Sequence, residues 1–503
     1  DLESYFLQAA YKDDNTLIKA LMFGGHEITY QAWYGIDGQT LRDNRTFNPS
    51  GIYTDLNGNT QFYDNEVDNY KQDHAQLLWN EQISDFWSTN IALHYTRGRV
   101  YFEQYREADD FSTYGFEPLI VDGEEVNTTD LIRRRWLDND FYGTVFSANY
   151  KKEKLDLIIG GGLNKYEGDH FGEVIWARYA SNSSYRDRYY DDSSSKTDFN
   201  LYTKANYQLT DQWSLYGDVQ YRTVGYKANG EDTGLVDDTF NFFNPKAGVT
   251  FDLNANNNFY LSYAVANREP NRNDYENGNP KPEKLNDFEL GWRYVSPSVQ
   301  VNTNVYYMNY KDQLVVTGEL NDVGAPLREN IGDSYRLGLE VDANIILGEK
   351  FNLRPNIAIS QNKNKDFFID RDGMLQGLGD TIIAFSPGLV AGNVLSYMPC
   401  DAMNISLYSK FVGEQYLSNT DTEASKLDSY FTTDFNITYE INMNSIVKSI
   451  VFSGLVNNIF NEKYVSNGYT YVDSWSTPGN SFEVQGYYPQ AGTNFLLGAT
   501  VNF

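Results

Sequence analysis

Polar and apolar residues alternate with a period of two along most of this chain, the pattern of strands whose two faces meet different environments. Residues 431–441 place Phe431, Phe435, Ile437, Tyr439 and Ile441 on one face and Thr432, Asp434, Asn436, Thr438 and Glu440 on the other. Residues 337–345 set Leu337, Leu339, Val341, Ala343 and Ile345 against Gly338, Glu340, Asp342 and Asn344. Residues 199–209 set Phe199, Leu201, Ala205, Tyr207 and Leu209 against Asn200, Tyr202, Lys204, Asn206 and Gln208. A water-soluble sandwich alternates too. The connections separate the two architectures.

Very short turns (13–15, 211–212, 256–257, 348–350 and the 442–445 region) alternate with long polar excursions at 34–67, 106–138, 180–196, 272–283, 367–385 and 466–489. Short turns on one rim and long loops on the other are the signature of outer-membrane β-barrels, whereas sandwiches and propellers lack that strict alternation. The reading is therefore all-β: an antiparallel transmembrane barrel over residues 1–503, with about 19 strands. Parity adds to it. The first segment, near 3–11, and the last, 491–503, both run toward the short-turn rim, so the count is odd and the first edge is left unpaired. Three strands upstream would give the 22 of the plugged transporters.

Composition agrees. Aromatics make up 16% of the residues, with Tyr 41 and Phe 30, in a chain whose net charge is −29. Rings with one apolar and one wet end suit membrane-interface belts. No stretch approaches the roughly 18 to 20 apolar residues a spanning helix needs, which leaves a barrel open because its strands are only half apolar. The acidic balance argues against nucleic acid as a partner. Facing lipopolysaccharide and outer-membrane lipid, it would favour bridging divalent cations.

Enzyme signatures are missing. His26, His74, His94 and His170 form no mutual motif, and neither Gly-x-Ser-x-Gly nor His-Glu-x-x-His occurs. No cofactor is expected. Asp55, Asn57, Asn59 and Glu66 fall at calcium-loop spacing, but Thr60 stands where the loop needs glycine. Residues 52–63 read instead as a small hairpin on an Asn-Gly turn. The single cysteine, Cys400, sits in a turn-like segment and supports no internal disulfide.

Two segments carry a family resemblance. The first runs Tyr263-Ala264-Val265-Ala266-Asn267-Arg268-Glu269-Pro270-Asn271-Arg272, followed by Pro282-Glu283-Lys284-Leu285 and Glu289-Leu290-Gly291. The second is Val456-Asn457-Asn458-Ile459-Phe460-Asn461-Glu462-Lys463-Tyr464, ahead of a final strand ending in Phe503. Together they resemble the mid-barrel and C-terminal signatures of TonB-dependent outer-membrane receptors of the siderophore type. The resemblance implies a Gram-negative outer membrane and TonB as partner, through a region N-terminal to the barrel that also carries a plug. It implies active import of a scarce ligand, a ferric siderophore first. Cobalamin or another nutrient is the alternative within the family, and a passive porin the alternative outside it. Haem receptors of the family carry a histidine between the two halves of the first signature; residues 268–283 hold none.

Loop aromatics and arginines are the candidate ligand contacts: Tyr30, Trp33, Tyr34, Tyr53, Arg268, Arg272, Tyr275, Tyr471 and Trp475. Rings and cations suit compact, oxygen-rich, often aromatic chelates. No catalytic or metal-ligating residue is expected.

Overall fold

A computed structural model describes residues 1–321, 324–371, 374–443, 446–473 and 482–503. The main sheet contains 20 strands, each antiparallel to its sequence neighbour in the wall. Met374–Ile382 and Leu389–Cys400 pair with the upper and lower halves of the same partner, Phe351–Arg371. They form one descending strand broken at 383–388, so the wall has 19 strands among the described residues, in line with the about 19 that the sequence predicts.

The first and last strands are both edges. Leu2–Lys12 pairs with Thr16–Tyr30, and Asn494–Asn502 with Ser449–Asn457. Among the described residues neither edge strand has a second partner, and every residue of both is exposed. The odd count and the unpaired edge are therefore as expected.

The faces follow the alternation. Val341 lies between Thr303 and Ile357, and Leu339 between Val305 and Ile359. Phe435 lies between Leu407 and Val456, Ile437 beside Ile405, Leu201 beside Tyr221, and Val501 beside Ile450. On the other face Asp342 lies between Asn302 and Asn356 and accepts a 2.9 Å hydrogen bond from Asn302. Glu340 stands beside Asn304, Lys204 beside Asp218, and Asn502 donates to Ser449. Aromatic pairs near the short turns (Trp87–Tyr150, Trp213–Phe251, Phe351–Tyr397) and higher up (Tyr263–Phe288, Tyr307–Tyr335) mark two belts.

The strands are longer than the spacing of those belts requires. Thr128–Lys152 has 25 residues and Leu155–Ala177 has 23. At roughly 3.3 Å per residue they pass well beyond a hydrocarbon band of about 25 Å. Much of the excursions expected at 106–138, 180–196 and 367–385 is thus strand standing above the membrane. There both faces meet water, so the hydrophobic signal of a strand fades while its ladder of hydrogen bonds continues. Two further excursions, 312–333 and 413–429, are not among those expected from the sequence. The first is a hairpin of Leu314–Leu320 with Pro326–Asn330.

Residues 52–62 form the expected hairpin, Ile52–Thr54 with Thr60–Phe62. Asp55 is spent on the turn, accepting from the backbone amides of Asn57 and Asn59, while Glu66 accepts from the amide of Tyr105. Cys400 is exposed beside the tight turn at 401–402.

Candidate functional site

Loops from both ends of the chain meet over the rim. Ile36 forms a β-bridge with Tyr487, Tyr488 Oη donates to the Trp33 carbonyl at 2.5 Å, and Arg45 donates to the Tyr464 carbonyl at 2.8 Å. These contacts join the loop after the second wall strand to the hairpin Val465–Asp473/Phe482–Pro489. The crown is continuous across the seam where the wall is open. Two inner loops lock beneath it. Leu417 is fully buried, Asn419 Nδ2 donates to the Val316 carbonyl at 2.8 Å, and Gln415 Nε2 to that of Ser466 at 3.3 Å. Gly318, at φ +100°, makes the closest approach: a Cβ there would stand 2.6 Å from Thr470 Cγ2 and 2.8 Å from the Leu417 carbonyl oxygen.

Between these loops lies a cavity of about 670 Å³. Trp33, Val316, Leu320, Phe385 and Tyr488 make its largely apolar wall, and Glu319 is its one carboxylate among the described residues. Glu319 also borders a second cavity of about 270 Å³, which Glu329, Glu483, Thr420, Thr470 and Tyr471 help to line. An apolar hollow with a few convergent polar groups is the usual form of a small-molecule site.

The sequence-derived candidates scatter. Trp33 lines the larger cavity, held by a 3.1 Å hydrogen bond from Nε1 to Asp68 and an edge-on contact with Phe102. Tyr471 lines the smaller one. Tyr30 is exposed at its strand end, and Tyr53 lies over Tyr105 at 4.3 Å between centroids. Tyr34 accepts from Gln104, and burial raises its phenol pKa. Tyr275 is buried against Tyr226 and donates to Asp238 at 2.6 Å. Trp475 lies outside the described residues.

The two arginines are engaged. Arg268 pairs with Glu283 at 2.9 Å and donates to the Leu314 carbonyl. Arg272 pairs with Asp192 at 3.1 Å and Glu276 at 3.3 Å. Between them Glu269, buried, is held by Arg222 at 2.7 Å and Lys196 at 2.5 Å. Burial raises the Glu269 pKa, but the two cations outweigh it and hold the carboxyl below its ordinary range. A capping box of Asn271 and Asp274 starts the short helix Arg272–Glu276. The Arg-Glu-Pro segment is thus a fastening for the loop. Glu319, Glu329, Phe385 and Tyr488 were missed because no local pattern separates a cavity wall from a loop; only the glycines at 318 and 324, both at positive φ, signal the tight folding.

Comparison with known proteins gives a consistent picture. The sequence profile described as "TonB dependent receptor-like, beta-barrel" matches residues 15–459. Curated protein sequences yield no match. Among solved structures the chain is similar to the ferric-catecholate import receptor Fiu of E. coli K12, with TM-score 0.64, 16% identity, and coverage of 100% of this chain and 75% of that one. It is similar to the siderophore receptor PiuA of Acinetobacter baumannii (TM-score 0.68, 13% identity, 100% and 74%). It is likewise similar to the copper transporter OprC (TM-score 0.70, 14% identity, 99% and 71%). At these identities the likeness is one of fold.

Proposed function

Because the chain belongs to the TonB-dependent receptor β-barrel family of the Gram-negative outer membrane, we propose that it imports a scarce small ligand, energised through TonB, with an iron chelate as the cargo. The observation that carries this is the crown cavity of about 670 Å³, closed over a wall whose inner face is polar. Iron chelates are what two of the fold relatives are named for. A cavity of this size, lined by Trp33, Phe385 and Tyr488, suits a compact aromatic or apolar ligand body.

The same reading assigns a place to the seam. Unpaired amides and carbonyls along Leu2–Lys12 and Asn494–Asn502 would be costly in lipid, since the bilayer core offers them no partner. Three further wall strands between these edges, with a plug and a TonB-contacting segment preceding them, complete the proposal. The charged belt of Arg97 with Asp138 and Asp140 lies on the lipid side of its strands above Tyr95 and Tyr142, where it would meet lipopolysaccharide headgroups.

The test is growth of the host under iron limitation, with and without the intact receptor, across ferric siderophores, cobalamin and oligosaccharides. Receptor- and TonB-dependent rescue by a ferric chelate is expected. Rescue by cobalamin alone, or by an oligosaccharide, refutes the iron assignment.

A further inference from the structure

The two crown cavities share one wall residue, Glu319, and their charge is one-sided. Glu319, Glu329 and Glu483 line the smaller cavity, with Thr317, Thr420 and Thr470 between them. Lysine, arginine and histidine are absent from the lining of both cavities among the described residues. The arginines nearest in sequence are committed elsewhere: Arg328 toward Asp274 at 4.0 Å, and Arg336 to the Ser386 hydroxyl at 2.9 Å.

The carboxylates differ in how they are satisfied. Glu483 accepts from Thr422 at 2.8 Å and Thr420 at 3.3 Å. Glu319 and Glu329 have no cationic partner within 4 Å among the described residues. Burial first, and then the like charge of Glu319, raise the pKa of Glu329 above the ordinary carboxylate range. Two carboxylates that repel across a half-desolvated cavity are relieved by a cation placed between them. An independent observation points the same way. Thr470 lines this cavity at 4% exposure, and its buried hydroxyl has no hydrogen-bond partner among the described residues. A buried hydroxyl left unpaired costs free energy that a ligand polar group can recover.

We infer that the crown site selects a ligand carrying an ammonium or amidinium group, whose cationic end sits among Glu319, Glu329 and Thr470 while its apolar body fills the hollow lined by Trp33, Phe385 and Tyr488. This rests on the import reading and narrows it: a strongly anionic chelate meets Glu319 and Glu329, neither of which has a cationic partner among the described residues. The attraction is of the short-range, partly desolvated kind, so it discriminates by charge more than by shape.

The experiment uses the full receptor in outer-membrane vesicles and four probes. These are a ferric trihydroxamate bearing one free primary amine, its N-acetylated neutral form, a ferric tris-catecholate, and a metal-free aliphatic polyamine. The amine-bearing chelate is expected to bind about tenfold more tightly than its acetylated form, and the tris-catecholate more weakly than both. Glu319→Gln with Glu329→Gln, which conserves volume, should erase that preference, and an unchanged tryptophan emission spectrum of the variant in the vesicles reports that the crown is folded. Equal binding of the two trihydroxamates, or tighter binding of the tris-catecholate, overturns the charge selection while iron import stands. Polyamine binding that the glutamine variants abolish, with none of the chelates bound, supports the cation site and removes iron as the cargo. Binding of none of the four overturns the inference.

Discussion

Substituting Val341 by arginine, with Asp342→Arg beside it as the control, tests the wall most directly. Leu347 ends the strand at the short-turn rim, and Val341 lies six residues above it. At roughly 3.3 Å per residue and a tilt of about 40°, each residue rises about 2.5 Å, which puts Val341 some 15 Å above the rim, near the middle of a band about 25 Å thick. Its cross-strand neighbours are Thr303 and Ile357, and Leu339 shares its face. None of these can accept a charge from a guanidinium, and the nearest water lies several residues away. The expected cost is about 2–4 kcal/mol. Asp342, one residue on, faces the lumen between Asn302 and Asn356. Its replacement forfeits one hydrogen bond from Asn302, worth about 1 kcal/mol, and the arginine stays in water. Reversible denaturant unfolding of the full receptor in lipid vesicles, followed by tryptophan fluorescence, would measure both. Equal losses, or a larger loss at Asp342, would refute the face assignment and with it the phase of the whole wall.

Arg222→Ala should leave Glu269 with Lys196 as its remaining cation and Asp198 with none among the described residues, loosening the loop 269–283 by about 3–5 kcal/mol and raising its hydrogen exchange while the wall stays protected. Acid acts on the same joint: Glu269 has a lowered pKa, so its stabilisation is present above the unfolded value of about 4.3 and is lost as pH falls through the lower folded value. Protection of that loop, its exchange rate corrected for the intrinsic pH dependence of amide exchange, should therefore be flat from pH 7 to about 5 and fall in stronger acid; a fall on going from neutral to weakly acidic pH would contradict the assignment. In a Cys400→Ala background of the full receptor, cysteines at Ala9 and Ala499 should not cross-link, because a disulfide needs Cβ atoms about 4 Å apart and further strands are proposed to intervene. Ready formation of that bond would show the two edges paired directly.

Alternation along single strands, taken with the succession of short turns and long excursions, was enough to predict a membrane barrel of about 19 strands and to assign the two faces of its wall. A period of two is a local property, and the contrast between hydrocarbon and lumen writes it strongly into segments such as 337–345 and 431–441. Strand ends above the membrane were not legible, because water on both faces removes the contrast while the hydrogen-bond ladder runs on through 128–137 and 171–177. The two arginines of the Arg-Glu-Pro segment were visible as cations, but only the fold brought Asp192, Glu276 and Glu283 to within 3.3 Å of them. The crown cavity was beyond the sequence altogether. Trp33, Glu319, Phe385, Thr470 and Tyr488 lie on loops up to 455 residues apart and meet because the loop after the second wall strand reaches the hairpin at 465–489 across the open seam. Neither the period of a strand nor the composition of a loop encodes that distance.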